Sequence, residues 1–269
     1  MKGRTIVLDH IGEIEAAAYL IDGKLDDILI DDIDAPRPGA IYRGICDRPI
    51  KGQGGMMLRL PEGETAFLRH GKGLSPGQPL LVQVTGHAEG GKAVPVTDRV
   101  LFKSRYAIVT PGKPGLNISR QITDEDTRDA LLAIAHQVFD STHGLILRSS
   151  CEGADEAEIA DDIEAMLTMA NAVLADADGT TPEALTEGDG PHTVAWREWT
   201  GRAEVVTQAG SFAHLGVLDQ FAAIGDEMVP LGEGYMYVEP TRALVAVDVN
   251  TGNDTSPAAA LKANLAAAR

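Results

Sequence analysis

Asp248 and Asn250 stand two residues apart, just after the apolar run Ala243-Leu244-Val245-Ala246-Val247. Five small or β-branched apolar residues predict a buried strand. A carboxylate at its end is costly to bury without a partner. Two chemistries fit. Asp248 and Asn250 can fold an Asx turn onto the backbone of Thr251-Gly252. Alternatively Asp248 holds a cation such as Mg2+, which binds one or two carboxylates and completes its shell with waters and substrate phosphate. Asp254, ahead of Thr255-Ser256-Pro257, reads better as part of a helix start than as a second ligand. A second group lies in MMLRLPEGETAFLRHGKG, where Met57, Leu58 and Phe67 lie near Arg59, Arg69, His70 and Lys72. Aromatic and apolar surface among cations suits stacking on single-stranded bases. The competing reading makes Leu58 and Phe67 barrel core.

Other chemistries find little support. The seven histidines show no metal-cluster spacing, and no GxSxG context accompanies a nucleophile. Cys46 and Cys151 form no CxxC pair, so no zinc is expected and reduced thiols in a cytoplasm are the simpler reading. The opening MKGRTIVLDH lacks a signal peptide's apolar run, and no stretch approaches the ~20 apolar residues of a membrane span. The net charge is −17, yet residues 36–121 carry 13 Lys and Arg against 5 Asp and Glu. That basic module, flanked by acidic segments, is the electrostatic footprint of a phosphate-bearing ligand.

The elements that must position these groups follow from local patterns. Arg4–Asp9 and Glu13–Asp31 read as strands, with a hairpin at Asp22-Gly23. Five short β segments between about residues 39 and 98, divided by Gly and Pro turns, predict a small OB-type barrel. Ser104–Pro111 and Gly144–Ser150 read as strands. Thr123 with Asp126 predicts a capped start for an amphipathic helix, and Glu152–Ala177 a long acidic helix. Asp178–Pro191 is turn-rich and reads as a loop or linker. The last elements are a hairpin turning at Glu239-Pro240-Thr241 and a helix beginning near Ser256.

The run GEGYMYVEPTRALVAVDVNTG, followed by LKANLAAA, resembles the catalytic hairpin and following helix of the ribonuclease E/G family. Gly39–Gly44 (GAIYRG), Ile118-Ser119-Arg120 and Gly144–Ser149 resemble further family elements in the same order. The resemblance implies an α+β fold: an RNase H-like scaffold (1–38, resuming with a loop and reduced second part over 178–231), an OB-type RNA-binding insert (39–98), a 5′-monophosphate sensor-like region (99–177) and a partial DNase I-like catalytic part (232–269). It further implies a magnesium-dependent (manganese as substitute) endoribonuclease acting on single-stranded RNA. On it, Asp248 is similar to a magnesium-binding carboxylate and Asn250 to its supporting amide. Arg148 and Ser149, with Arg120 beside them, resemble a 5′-phosphate pocket. Phe67 and Lys92 fall where the insert touches RNA, Lys92 within the turn Gly90-Gly91-Lys92, and Leu58 replaces an expected aromatic. The family's second magnesium carboxylate belongs to a strand after the last helix, so these 269 residues are expected to cleave poorly alone.

Alternatives stay open at this level. Arg148 could instead pair with Glu152 or another neighbouring acid, and Lys92 could be merely exposed. A non-catalytic, regulatory RNA-binding protein on the same scaffold, or an acidic module with a protein partner, would share most of these features. The sequence also leaves homo-oligomerisation open.

Overall fold

A computed structural model describes residues 3–50, 52, 54–88, 91–139 and 142–268. Gly90, in the turn noted above, lies outside them. Two compact units divide the chain, residues 1–211 and 212–269. The five-part division expected from the sequence is finer, and its 178–231 segment contributes to both units.

In the first unit, β1 (Arg4–Ile11), β2 (Ile14–Ile21) and β3 (Lys24–Ile30) form an antiparallel meander. The β2–β3 turn is Asp22-Gly23, both at positive φ (51° and 80°), the twist-matched geometry of a two-residue hairpin. The barrel follows, from β4 (Ile41–Ile50), β5 (Gly55–Arg59), β6 (Thr65–Leu68), β7 (Pro79–Val84) and β8 (Val94–Thr97). Their order is β4-β5-β6-β8-β7, and the β4–β7 pairing closes the ring. Only β6 and β8 run parallel. Inward residues such as Met56, Leu58, Ala66, Leu68 and Val82 fill the interior. Leu58 is therefore core, as the competing sequence reading had it, whereas Phe67 lies outside that cluster.

A second sheet holds β9 (Phe102–Lys103), β10 (Ala107–Thr110), β11 (Gly115–Ile118) and β12 (Gly144–Leu147), in the order β11-β12-β10-β9. It shares a hydrophobic core with α1 (Glu125–Val138) and α2 (Glu156–Ala175). The N-cap of α1 is Asp124, which accepts from Thr127 N at 2.9 Å, one residue past the predicted Thr123. A carboxylate at that position also favours the positive end of the helix dipole. Within the expected loop, Glu183–Thr186 instead forms β13, recruited by β4. Then come α3 (Pro191–Glu198) and β14 (Glu204–Val206), which adds parallel to β1.

The second unit comprises α4 (Ser211–His214), α5 (Val217–Ile224), the sheet β15 (Met228–Leu231), β16 (Gly234–Pro240) and β17 (Val245–Asn250), and α6 (Pro257–Ala268). α4 begins at the last residue of the first unit. The β16–β17 turn occupies Thr241–Leu244 rather than 239–241, closed by Thr241 N and Oγ1 donating to Leu244 O at 2.8 and 2.6 Å. The strand is not buried as its apolar run predicts: Val245 and Val247 are 63% and 56% exposed. Val245 and Val247 share one face of β17, the edge strand of a three-stranded sheet, and that face stays open to solvent. No helix among the described residues is long and apolar enough to cross a membrane.

Candidate nucleic-acid interface and metal site

Across the outer face of the barrel, register sets Met57 opposite Phe67 and Phe67 opposite Pro95. Strand alternation explains the exposure: Met56, Leu58, Ala66 and Leu68 point in, so Met57 and Phe67 point out. A Cβ at Gly55 would meet the Phe67 ring at 2.8 Å from Cζ, so the ring covers that glycine. These residues line a cavity of about 460 Å³ with Ile50, His87 and Lys92. The structure thus joins Phe67 and Lys92 in one groove. Arg69 and Lys72 are exposed on the segment after β6, outside the groove lining. His87 and Pro95 escape sequence reasoning because the parallel β6–β8 pairing is non-local.

The residues matched to a phosphate pocket gather at the C-terminal ends of two parallel strands. Ile118 pairs with Leu147 in register and Ser119 N donates to Leu147 O at 2.8 Å, so the segments that carry Arg120 and Ser149 leave the sheet from paired positions. Arg120 is exposed and Ser149 half-buried. The Arg148 guanidinium is engaged elsewhere. It donates to Ser104 O (2.6 Å), Arg197 O (3.1 Å) and Glu198 Oε2 (2.9 Å). Its acid partner is thus Glu198, fifty residues on, rather than Glu152. Glu198 also receives Lys103 at 2.7 Å and Arg197 at 2.7 Å. Burial pushes its carboxyl up, but hydrogen bonds from Lys103 and Arg197 and the Arg148 charge win, holding it at about 2.

In the second unit, Asp248 and Asn250 share one face of β17, opposite Tyr237 and Tyr235 on β16. The Asn250 Nδ2 donates to Asp248 Oδ2 at 3.0 Å, and Asp248 is exposed. The tyrosine rings meet edge to face at 5.7 Å. The following turn is pressed onto the start of β16: a Cβ at Gly234 would collide with Asn250 O, and one at Gly252 with Glu233 O. Gly252 has φ +71°, so glycine suits the site twice over. Asp254 accepts from Ser256 N at 2.8 Å, and Ser256 Oγ from Ala259 N at 3.2 Å. Asp254 therefore belongs to the start of α6, as expected, and the hydrogen bonds from Ser256 lower its pKa.

A magnesium ion asks for hard oxygen ligands and tolerates a single carboxylate with waters. The Asp248 carboxylate, exposed and oriented by the Asn250 amide, fits that requirement. Among the described residues no group of three or more His, Cys, Asp or Glu could hold a metal. Both cysteines are buried, and burial pushes the Cys151 thiol up to about 11. Thiolate chemistry is therefore disfavoured.

A closed five-stranded barrel in a mixed α+β chain fits an OB-type domain. Residues 102–203 and 193–269 match the sequence model of the Ribonuclease E/G family, more than half of the chain. The chain belongs to that family. It is similar to ribonuclease E of Nostoc sp. (strain PCC 7120 / SAG 25.82 / UTEX 2576), 27% identical over 223 residues, covering 70% of this chain and 32% of that protein. Ribonuclease G of Escherichia coli (strain K12) is 26% identical over 300 residues, covering 87% of this chain and 60% of that protein. Ribonuclease E of Synechocystis sp. (strain ATCC 27184 / PCC 6803 / Kazusa) is 27% identical over 221 residues, 69% and 33%. The chain thus spans from about a third to 60% of the length of these relatives.

Proposed function

We propose that this chain carries a metal-dependent endoribonuclease activity on single-stranded RNA, with a preference for 5′-monophosphorylated ends. The observation that carries it is the Asp248–Asn250 pair on one face of a strand, within the hairpin that resembles the family's catalytic motif. Asp248 would hold Mg2+ or Mn2+ through a carboxylate oxygen, while Asn250 fixes the rotamer of that carboxylate. The ion would supply Lewis-acid polarisation of a phosphate. Tyr235 and Tyr237, in register with the pair, wall one side of the site.

RNA would be gripped mainly by the barrel, where Phe67 offers a face for base stacking and Lys92 a cation at the same groove. An OB-fold binds oligonucleotides on its second and third strands, here β5 and β6, and on the loop joining its fourth and fifth, here the one between β7 and β8 that carries Lys92. Three antiparallel strands with a fourth parallel to the first support an RNase H-like reading of the N-terminal sheet, and the second unit would be the DNase I-like part. Arg120 and Ser149 would contact the 5′-phosphate, with Arg148, bonded to Ser104 O, Arg197 O and Glu198, anchoring the segment that carries Ser149. RNA bearing a 5′-monophosphate should then bind severalfold better than its 5′-hydroxyl counterpart, since a charge-assisted hydrogen bond contributes roughly 1.5–3 kcal/mol. Equal binding of the two RNAs would remove the end preference.

One observation favours a second reading. Asp248 stands without a cluster of further metal-ligating groups among the described residues, as would suit an RNA-binding protein that does not cleave. Incubating the chain with a labelled single-stranded oligoribonucleotide and titrating Mg2+ against a chelator separates the two. Metal-dependent internal cuts favour the nuclease, and binding without cuts the regulatory reading.

A further inference from the structure

Trp196 lies on α3 and is 53% exposed, although the Arg105 guanidinium stacks on its ring with Cζ 3.9 Å from the centroid. A tryptophan with one covered face and half its surface in solvent presents its other face outward. A single exposed aromatic is ordinary on a protein surface; what sets Trp196 apart is the guanidinium stacked on one of its faces. Arg105 makes no ion pair among the described residues, and its Nε is buried without a hydrogen-bond partner. The neighbouring Lys103, Arg148 and Arg197 by contrast share the carboxylates of Glu198 and Asp189. The site therefore combines an open indole face with a guanidinium that makes no direct ion pair among the described residues; it also lies over the Tyr106 ring (Cζ 5.8 Å from the centroid), whose hydroxyl donates to Glu158 Oε2 at 3.0 Å.

The platform is also rigid. Arg105 donates to Trp196 O and Arg148 to Arg197 O, so two guanidinium groups seat on the last carbonyls of α3, where the helix dipole favours cations. At the other end of the helix, His192 N donates to Glu15 Oε1 at 2.8 Å. The Ser150 hydroxyl donates to Arg105 O and fixes the loop that carries the guanidinium. A pre-ordered aromatic surface loses little conformational entropy when a ligand stacks on it.

We propose that Trp196, backed by Arg105, is a second nucleobase-stacking site for single-stranded RNA, distinct from the Phe67 groove of the barrel. An aromatic plane beside a cation with no direct carboxylate partner matches the base and phosphate of one nucleotide. Ser150, the residue next to Ser149, bonds to the Arg105 backbone, so the site adjoins the segment assigned to the 5′-phosphate. The inference rests on the reading of the chain as an RNA binder.

The test is the affinity of the full chain for a single-stranded oligoribonucleotide, by fluorescence anisotropy, with Trp196→Ala, Trp196→Phe and Phe67→Ala in parallel. Loss of one stacked base lowers affinity from about fivefold to a hundredfold. Trp196→Ala should fall in that range, and Trp196→Phe should keep most of the affinity. Emission offers a second readout, because the other tryptophan, Trp199, is stacked on Tyr19 at 5.3 Å in the packed core. Quenching by RNA should vanish in Trp196→Phe. Unchanged affinity in a folded Trp196→Ala, with Phe67→Ala impaired, would overturn the platform and leave the RNA-binding reading standing. That result would leave a protein-contact role for Trp196. No RNA binding by the unaltered chain would overturn both.

Discussion

The barrel face and the Asp248 hairpin are both strand surfaces with aromatic side chains in register, built on opposite footings. Beneath Phe67, the side chains of Met56, Leu58 and Leu68 are at most 2% exposed, so the ring rests on a close-packed interior. On the hairpin, Val245 and Val247 are more than half exposed, Asp248 is exposed and Asn250 half-buried. Stacking needs a firm apolar seat and contact area. A hydrated divalent ion needs hard oxygens within reach of water. The two surfaces meet these separate demands, so affinity for RNA should be controlled from the barrel and metal chemistry from the hairpin.

Withdrawing divalent metal gives the largest contrast. A chelator should abolish cleavage while the affinity for RNA, followed by anisotropy, stays close to its starting value. Parallel loss of binding would merge the two surfaces into one metal-dependent site. Next in size is the footing itself. Leu58→Ala should cost about 2–5 kcal/mol in urea denaturation by leaving a cavity in the barrel. Val247→Ala, on the exposed edge, should stay within about 0.5 kcal/mol. Phe67→Ala should weaken RNA binding by ~1–3 kcal/mol without unfolding the chain. Affinity should also fall steeply with salt, as release of counterions from phosphate requires.

The smallest expected effect sharpens the role of Arg148. Glu198, normally near 4.5, is held at about 2, so its network stabilises the fold fully above pH 4.5 and is lost as pH falls towards 2. Glu198→Gln should lower the melting temperature at pH 7, and the gap to the unaltered chain should close between pH 4.5 and 2. A gap independent of pH would mean that the ion pairs contribute nothing and that Arg148 is held by the carbonyls alone.

How much was legible in the sequence follows from the range of the interactions. The Asp22-Gly23 hairpin and the five barrel strands were legible because Gly and Pro turns and strand alternation are local signals. The α1 cap was missed by one residue, since Thr123 and Asp124 both suit the position. β13 was hidden in a turn-rich stretch, because its strand state comes from pairing with β4 some 140 residues away. The same distance effect concealed Pro95 beside Phe67 and Glu198 beside Arg148. Asp248 and Asn250 could be named as a pair from their spacing, but not the Tyr235 and Tyr237 wall, which depends on hairpin register. The apolar run before Asp248 predicts burial, and only the structure shows that the face carrying Val245 and Val247 is left uncovered.

The central claim is that binding and cleavage reside on different surfaces, and Asp248→Asn tests it most directly. The substitution keeps the size of the side chain and removes the charge a divalent ion requires. Cleavage of a labelled single-stranded RNA and its affinity should be measured together, at saturating Mg2+. The account predicts affinity within about twofold of the unaltered chain and cleavage reduced at least about a hundredfold. Full cleavage by Asp248→Asn would contradict it.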